Sequence, residues 1–140
     1  MIEEAHPNCR FYVQLDDIPQ AVFTEVTGLQ VETAVMEYEE GGNNGFVHRL
    51  PGRTKVSNLT LKRGMTSSND FLKWYLDFAK GLREPQNLSL VMYDAAGNEL
   101  MRWDFLGAYP VKWIGPQFNA EGKATAIETL ELAHAGLEAK

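Results

Sequence analysis

Residues 67–85 read SSNDFLKWYLDFAKGLREP, and this stretch decides the fold because it is the one place where the hydrophobic period changes. Phe71, Tyr75, Phe78 and Leu82 recur at steps of four, three and four, with Leu72, Leu76 and Ala79 on the adjacent stripe. That is the period of an amphipathic helix. The Ser67 hydroxyl three residues ahead of Asp70 reads as an N-terminal capping signal, and Gly81 and Pro85 as stop signals. One helix is therefore predicted over about 68–81. Its aromatic side needs a surface to cover, and everything on either side of it reads as strand.

Upstream, Arg10–Leu15 is rich in β-formers and runs into the turn signal Asp16-Asp17-Ile18-Pro19. Ala21–Thr27 ends at Gly28, and a polar–apolar alternation from Leu29 continues irregularly to Glu39. Gly41-Gly42-Asn43-Asn44-Gly45 is a loop signal; Phe46–Leu50 follows, broken by Pro51-Gly52, and then Lys55–Lys62. Downstream, Leu88–Tyr93 and Leu100–Phe105 flank the hairpin loop Asp94–Asn98. Ala108–Ile114 is interrupted by Pro110, and in Thr125–Leu132 the apolar residues Ile127, Leu130 and Leu132 do not alternate, which leaves the register open. Many short strands and one helix predict a mainly β fold: an antiparallel β-barrel or sandwich flanked by one α-helix.

At 140 residues the chain reads as a single domain, of a size that buries roughly 68–70% of the surface its unfolded form exposes. Thirteen basic against nineteen acidic residues, a net charge of −6, argue against nucleic-acid specificity, which needs clustered Lys and Arg. Cys9 is the sole cysteine, so no internal disulfide is expected and packing must hold the fold. Met1–Pro7 has neither a basic start nor an apolar run, so no secretory signal is expected. No window approaches the ~18 apolar residues of a membrane-spanning helix, so no direct membrane anchor is expected either.

No catalytic constellation emerges. His6, His48 and His134 have no metal-site spacing and read as structural or solvated. Asp16-Asp17 before Ile18-Pro19 reads as a turn rather than an acid–base pair. No phosphate-binding glycine motif and no nucleophile elbow are present. Trp74, Tyr75 and Phe78, at helical spacing without basic residues between them, read as packing rather than as a ligand cage; Trp103 and Phe105 share a strand face, and Trp113 lies among turns. The expectation is a non-enzymatic protein with no cofactor and no metal.

The segment from about Val31 to Gly64 is unusual. Glu32, Glu37, Glu39 and Glu40 lie on its outward half, and Arg49, Arg53, Lys55, Lys62 and Arg63 on its return. Two readings stand: an exposed hairpin whose strands pair their own charges, each contact worth little, or an arm that docks on a neighbouring copy, where complementary charge sets register.

Gly28-Leu29, Glu37-Tyr38-Glu39-Glu40-Gly41-Gly42-Asn43, Leu50-Pro51-Gly52-Arg53 and Leu59-Thr60-Leu61-Lys62-Arg63-Gly64 occur in that order. They are followed by the aromatic helix, Asp94 and Gly97 in a turn, Trp103, and Ala108-Tyr109-Pro110-Val111-Lys112. This ordered set, spanning about Phe11 to Leu137, resembles the tail tube protein family, which includes the tube proteins of contractile phages and of extracellular contractile injection systems. The resemblance implies a barrel-like antiparallel fold with one helix and a protruding β-hairpin arm, over about 31–64. It implies hexameric rings stacked into a hollow tube within a sheath, with baseplate or spike hub, tube terminator and protein cargo as further partners. It also implies synthesis in the cytoplasm and residence in a virion or released particle.

On this resemblance the arm residues expected to contact a neighbouring subunit are Glu37, Tyr38, Glu39, Glu40, Gly41, Gly42, Phe46, Arg49, Arg53, Lys55, Lys62 and Arg63. The rival readings are a baseplate paralogue that starts the tube, a type VI secretion tube subunit, and, in a different class, a monomeric ligand-binding β-barrel or small enzyme.

Overall fold

The computed structural model describes residues 10–15, 18–38, 47–64, 68–118, 124–125 and 127–139. Its strands are β1 (Arg10–Leu15), β2 (Ile18–Phe23), β3 (Glu25–Thr27), β4 (Val31–Tyr38), β5 (His48–Val56) and β6 (Leu59–Gly64). After helix α1 (Asp70–Ala79) come β7 (Gln86–Tyr93), β8 (Glu99–Ile114), β9 (Gln117–Phe118), β10 (Ala124–Thr125), β11 (Ile127–Ala133) and β12 (Gly136–Ala139). The main antiparallel sheet runs β2-β1-β7-β8-β11-β6-β3, with β12 also on β8; β9 with β10 and β4 with β5 form separate two-stranded ribbons. The fold is the sandwich-like form of the expected class, not a closed barrel.

The two terminal strands of that path, β2 and β3, are consecutive in the chain and divided only by Thr24. Thr24 donates its N–H to the Lys62 carbonyl at 2.9 Å. One short segment thus leaves β1 and joins β6, curling the sheet around a single core. Val13 and Leu15 of β1, Leu59 and Leu61 of β6, Leu88 and Leu90 of β7, and Leu130 and Leu132 of β11 all point into it, as the two-residue period of a strand requires.

The ambiguous register near the C-terminus resolves on that face. Glu128, Leu130 and Leu132 point inward while Ile127 is exposed. The expected break before Ala108 is absent; β8 runs sixteen residues from Glu99 to Ile114. It shifts register between the pairs Leu88↔Phe105 and Gln86↔Ala108, near Gly107, whose φ of +59° is readily adopted only by glycine. A second irregularity, opposite Glu131 and Leu132, accommodates Pro110, which has no N–H for the ladder.

Helix α1 starts two residues later and ends two earlier than the expected 68–81. Asn69 at the cap position makes no side-chain capping bond; the Ser68 hydroxyl instead accepts the Asp70 N–H at 3.2 Å. Ser67 lies outside the described residues. The helix stops at Gly81 (φ +77°), where Gly81 N–H donates to the Phe78 carbonyl and Leu82 N–H to that of Asp77, the Schellman arrangement.

Phe71 and Trp74 are buried, Phe71 meets Phe23 edge-on at 5.5 Å, and Phe78 stacks on Tyr109 of β8 at 5.3 Å. Tyr75 donates its hydroxyl to the Val111 carbonyl at 3.1 Å. The helix therefore buries Phe71 and Trp74 and packs the half-buried Tyr75 and Phe78 against β8. Leu76 and Leu82, expected near that side, are 46% and 71% exposed, Leu82 because it falls beyond the helix end.

Candidate assembly surface

Between β3 and β6 the chain leaves the main sheet and returns. β4 and β5 pair only with each other, through Val31↔Val56, Glu32↔Lys55, Thr33↔Thr54, Val35↔Pro51, Met36↔Leu50, Glu37↔Arg49 and Tyr38↔His48. The segregation of acid and base along the sequence is explained by this register, which sets Glu32 opposite Lys55 and Glu37 opposite Arg49. Glu37 and Arg49 approach to 3.9 Å with both side chains about two-thirds exposed, a contact of small energetic weight. The Thr33 and Thr54 hydroxyls bond across the ribbon at 2.9 Å. β5 passes through Pro51-Gly52 without ending, because an irregularity between Thr33 and Val35 absorbs the mismatch. Gly52 fits there closely: a Cβ would come within 3.1 Å of the Ala34 carbonyl oxygen.

Every residue of β4 is exposed, and Val31, Val35, Met36, Tyr38 and Leu50 each show more than half their surface. Among the described residues no other strand pairs with the ribbon. A lone two-stranded ribbon is marginal in water and presents two open edges. A shallow recess of about 350 Å³ opens between Thr33–Val35 and Arg49–Pro51.

Of the residues expected on this arm, Glu37, Tyr38, Arg49, Arg53 and Lys55 lie on the ribbon. Glu39, Glu40, Gly41, Gly42 and Phe46 fall outside the described residues. Lys62 and Arg63 are not on the ribbon; they belong to β6 in the main sheet, paired with β11 and β3. The ribbon ends at Val56 because Ser57-Asn58 separates the two strands of what reads in sequence as one, Lys55–Lys62.

Arg63 in fact points into the core. It sits directly opposite Glu128 on β11, and its Nε donates to Glu128 Oε2 at 2.7 Å with both side chains buried. Trp113 Nε1 donates to the other carboxylate oxygen at 2.8 Å. The guanidinium lies 4.8 Å above the Phe71 ring and 5.5 Å from that of Phe23, a cation–π arrangement. This cluster joins β6, β11, β8, β2 and the helix at the end of β6 away from the arm.

The root itself is tightly built. Gly28 takes φ +87°, and a Cβ there would overlap the Asn58 carbonyl oxygen, so the outgoing leg presses on the returning one. Gln30 Nε2 donates to the Ser57 hydroxyl at 2.8 Å. His134, between β11 and β12, sets Nε2 3.0 Å from the Ser57 carbonyl oxygen and Nδ1 3.1 Å from that of Gly136. The sequence shows His134 only as an isolated histidine; its partner is 77 positions away.

Among the described residues no group of three or more His, Cys, Asp or Glu side chains is placed to hold a metal, and no helix is long and apolar enough to cross a membrane. The prominent feature is a surface, not a pocket: a curled β-body with a projecting ribbon. The sequence profile of the T4-like virus tail tube protein gp19 family matches residues 7–138. The chain belongs to that family and is a tail-tube structural protein.

No curated protein sequence matches it. A chain of the six-fold symmetrised anti-feeding prophage baseplate is 21% identical with a TM-score of 0.79, covering 100% of this chain and 96% of that one. A chain of the extended sheath–tube complex of the extracellular contractile injection system PVC is 23% identical with a TM-score of 0.80, over 99% and 93%. Hcp1 from Flavobacterium johnsoniae shares the fold more distantly, at 15% identity and TM-score 0.55 over 93% and 94%.

Proposed function

We propose that this chain is the repeating inner-tube subunit of a contractile injection machine. Copies close into hexameric rings, the rings stack into a hollow tube, and a surrounding sheath drives that tube into a target. The observation that carries the reading is the β4–β5 ribbon, which leaves Val35, Met36 and Leu50 more than half exposed and with which no other strand pairs among the described residues. Family membership and the likeness to chains of a six-fold baseplate and a sheath–tube complex support it.

On this reading Glu37, Tyr38, Arg49, Arg53 and Lys55 contact a neighbouring subunit, together with Glu39, Glu40, Gly41, Gly42 and Phe46. Head-to-tail contacts of this kind generate closed rings, and stacking them generates an open-ended tube. Sheath protein, baseplate or spike hub and tube terminator are the further partners, and the lumen holds or conducts protein cargo. The subunit is made in the cytoplasm and resides in a virion or a released particle. Its part in injection is mechanical, with no bond made or broken.

The test is negative-stain electron microscopy of the purified protein across a concentration series, with its mass measured in solution. Six-membered rings or hollow tubes are the expected result. A monomer at every concentration, also when mixed with preformed baseplate, overturns the reading.

A further inference from the structure

His134 occupies an unusual position in the β6–β11 ladder. The last backbone pair is Leu59↔Leu132, and two steps further the same register brings Ser57 opposite His134. There the imidazole takes over from the ladder: Nε2 faces the Ser57 carbonyl oxygen at 3.0 Å, and Nδ1 faces the Gly136 carbonyl oxygen at 3.1 Å. Carbonyl oxygens only accept. A neutral imidazole has one N–H and therefore bonds one of them, leaving a ring lone pair against the other; the imidazolium has two N–H groups and bonds both.

The third neighbour is the Phe105 ring, 4.8 Å from the imidazole and nearly perpendicular to it. The groups that face His134 are thus two carbonyl dipoles and an aromatic ring, from the β5–β6 junction, β12 and β8. Among the described residues no ion pair or hydrogen bond joins it to a charged side chain.

Ser57 is also the point at which both legs of the ribbon are tied. It follows β5 directly, and its hydroxyl accepts from Gln30 on the other leg. Its neighbour Asn58 abuts Gly28. The connection His134–Ser57–Gln30 therefore runs from the core sheet through one leg to the other.

We propose that His134 is a protonation-dependent clasp on the root of the β4–β5 arm. With the ring doubly protonated, both carbonyls are bonded and the arm's root is fixed to the β11–β12 junction. With the ring neutral, one of the two bonds is lost and the root loosens, so the arm's direction becomes less defined. The consequence for assembly rests on the proposed tube function; the clasp itself does not, since it operates within one chain.

The first experiment is a ¹⁵N titration of the histidine ring nitrogens in the isolated protein from about pH 5 to 8, the range over which histidine side chains change charge, with the Ser57 and Asn58 amides followed in the same samples. Both His134 nitrogens are expected to carry protons at the acid end, and the amides to shift with the same midpoint. Native-state hydrogen exchange of segments 28–34 and 54–60, corrected for the intrinsic pH dependence of exchange, is expected to be roughly five-fold slower at the acid end, the worth of one hydrogen bond. His134→Gln is expected to abolish that difference while keeping the fold.

A single ring nitrogen protonated throughout, or the same pH-dependent protection in His134→Gln, overturns the clasp. If the variant does not fold, the wild-type titration alone decides. Ring and tube formation is scored separately by electron microscopy, so a protein that titrates as expected but never assembles counts against the tube function and not against the clasp.

Discussion

Arg63 and Glu128, 65 positions apart, meet across 2.7 Å as directly opposed residues of β6 and β11, both buried. They occupy the inward positions that continue Leu59-Leu61 and precede Leu130-Leu132, so a charged pair stands where the strand pattern calls for apolar side chains. Removing one partner leaves an uncompensated buried charge, which costs about 3–5 kcal/mol. Arg63→Met and Glu128→Gln should each destabilise the monomer on that scale in urea unfolding. The double variant Arg63→Met with Glu128→Leu should be less destabilised than the worse single variant. Equal or additive losses would show that the pair does not act as a unit.

Two glycines with nearly the same backbone angle make a controlled comparison. Gly28 and Gly97 have φ of +87° and +88°, but a Cβ overlaps the Asn58 carbonyl oxygen at Gly28 and meets nothing within 4 Å at Gly97. Gly97→Ala should cost only the conformational strain, about 1–2 kcal/mol. Gly28→Ala should cost clearly more and should disturb amide resonances at both legs of the arm. Similar melting shifts for the two variants would contradict the close packing of the root.

The arm's apolar residues should be silent in the monomer. Met36→Ser and Leu50→Ser alter side chains that are already more than half exposed, so monomer stability should stay within about 0.5 kcal/mol. Ring or tube yield in sedimentation should fall at least several-fold. Unchanged yield would remove the ribbon from the assembly interface.

The facing charges predict a swap. Glu37→Arg alone places two cations opposite one another, and adding Arg49→Glu restores an opposed pair in reversed order. If Glu37 and Arg49 serve only each other, the double variant should assemble as the native chain does. If they also meet charges on a neighbour, it should not, and salt above physiological strength should weaken native assembly as well.

How far the sequence could be read follows from what each element depends on. The helix was legible because its aromatics, Phe71 to Phe78, keep a period set by neighbouring positions. The arm's charge segregation was visible for the same reason: Glu37 and Arg49 lie a few residues either side of the glycine–asparagine run in the sequence. Lys62 and Arg63 read as part of the arm because Lys55–Lys62 is one β-forming run in sequence, and only pairing with β11 shows that the main sheet resumes after Ser57-Asn58. The inward turn of Arg63 obeys the two-residue period from Leu59 and Leu61, yet a cation at that position reads as exposed until Glu128 is known to lie opposite. His134 and Ser57 depend on the same long-range register, which no local pattern encodes.

The division of Ile18–Thr27 at Thr24 has a mechanical consequence. A sheet with two independent borders can peel from either one under load, strand by strand. Here both terminal strands of the hydrogen-bonded path belong to a single ten-residue stretch, so tension that draws β3 off β6 is passed through Thr24 to β2 and its partner β1. Among the described residues the two ends of the sheet are thus mechanically coupled through one residue, and a load on either end strand is shared with the other.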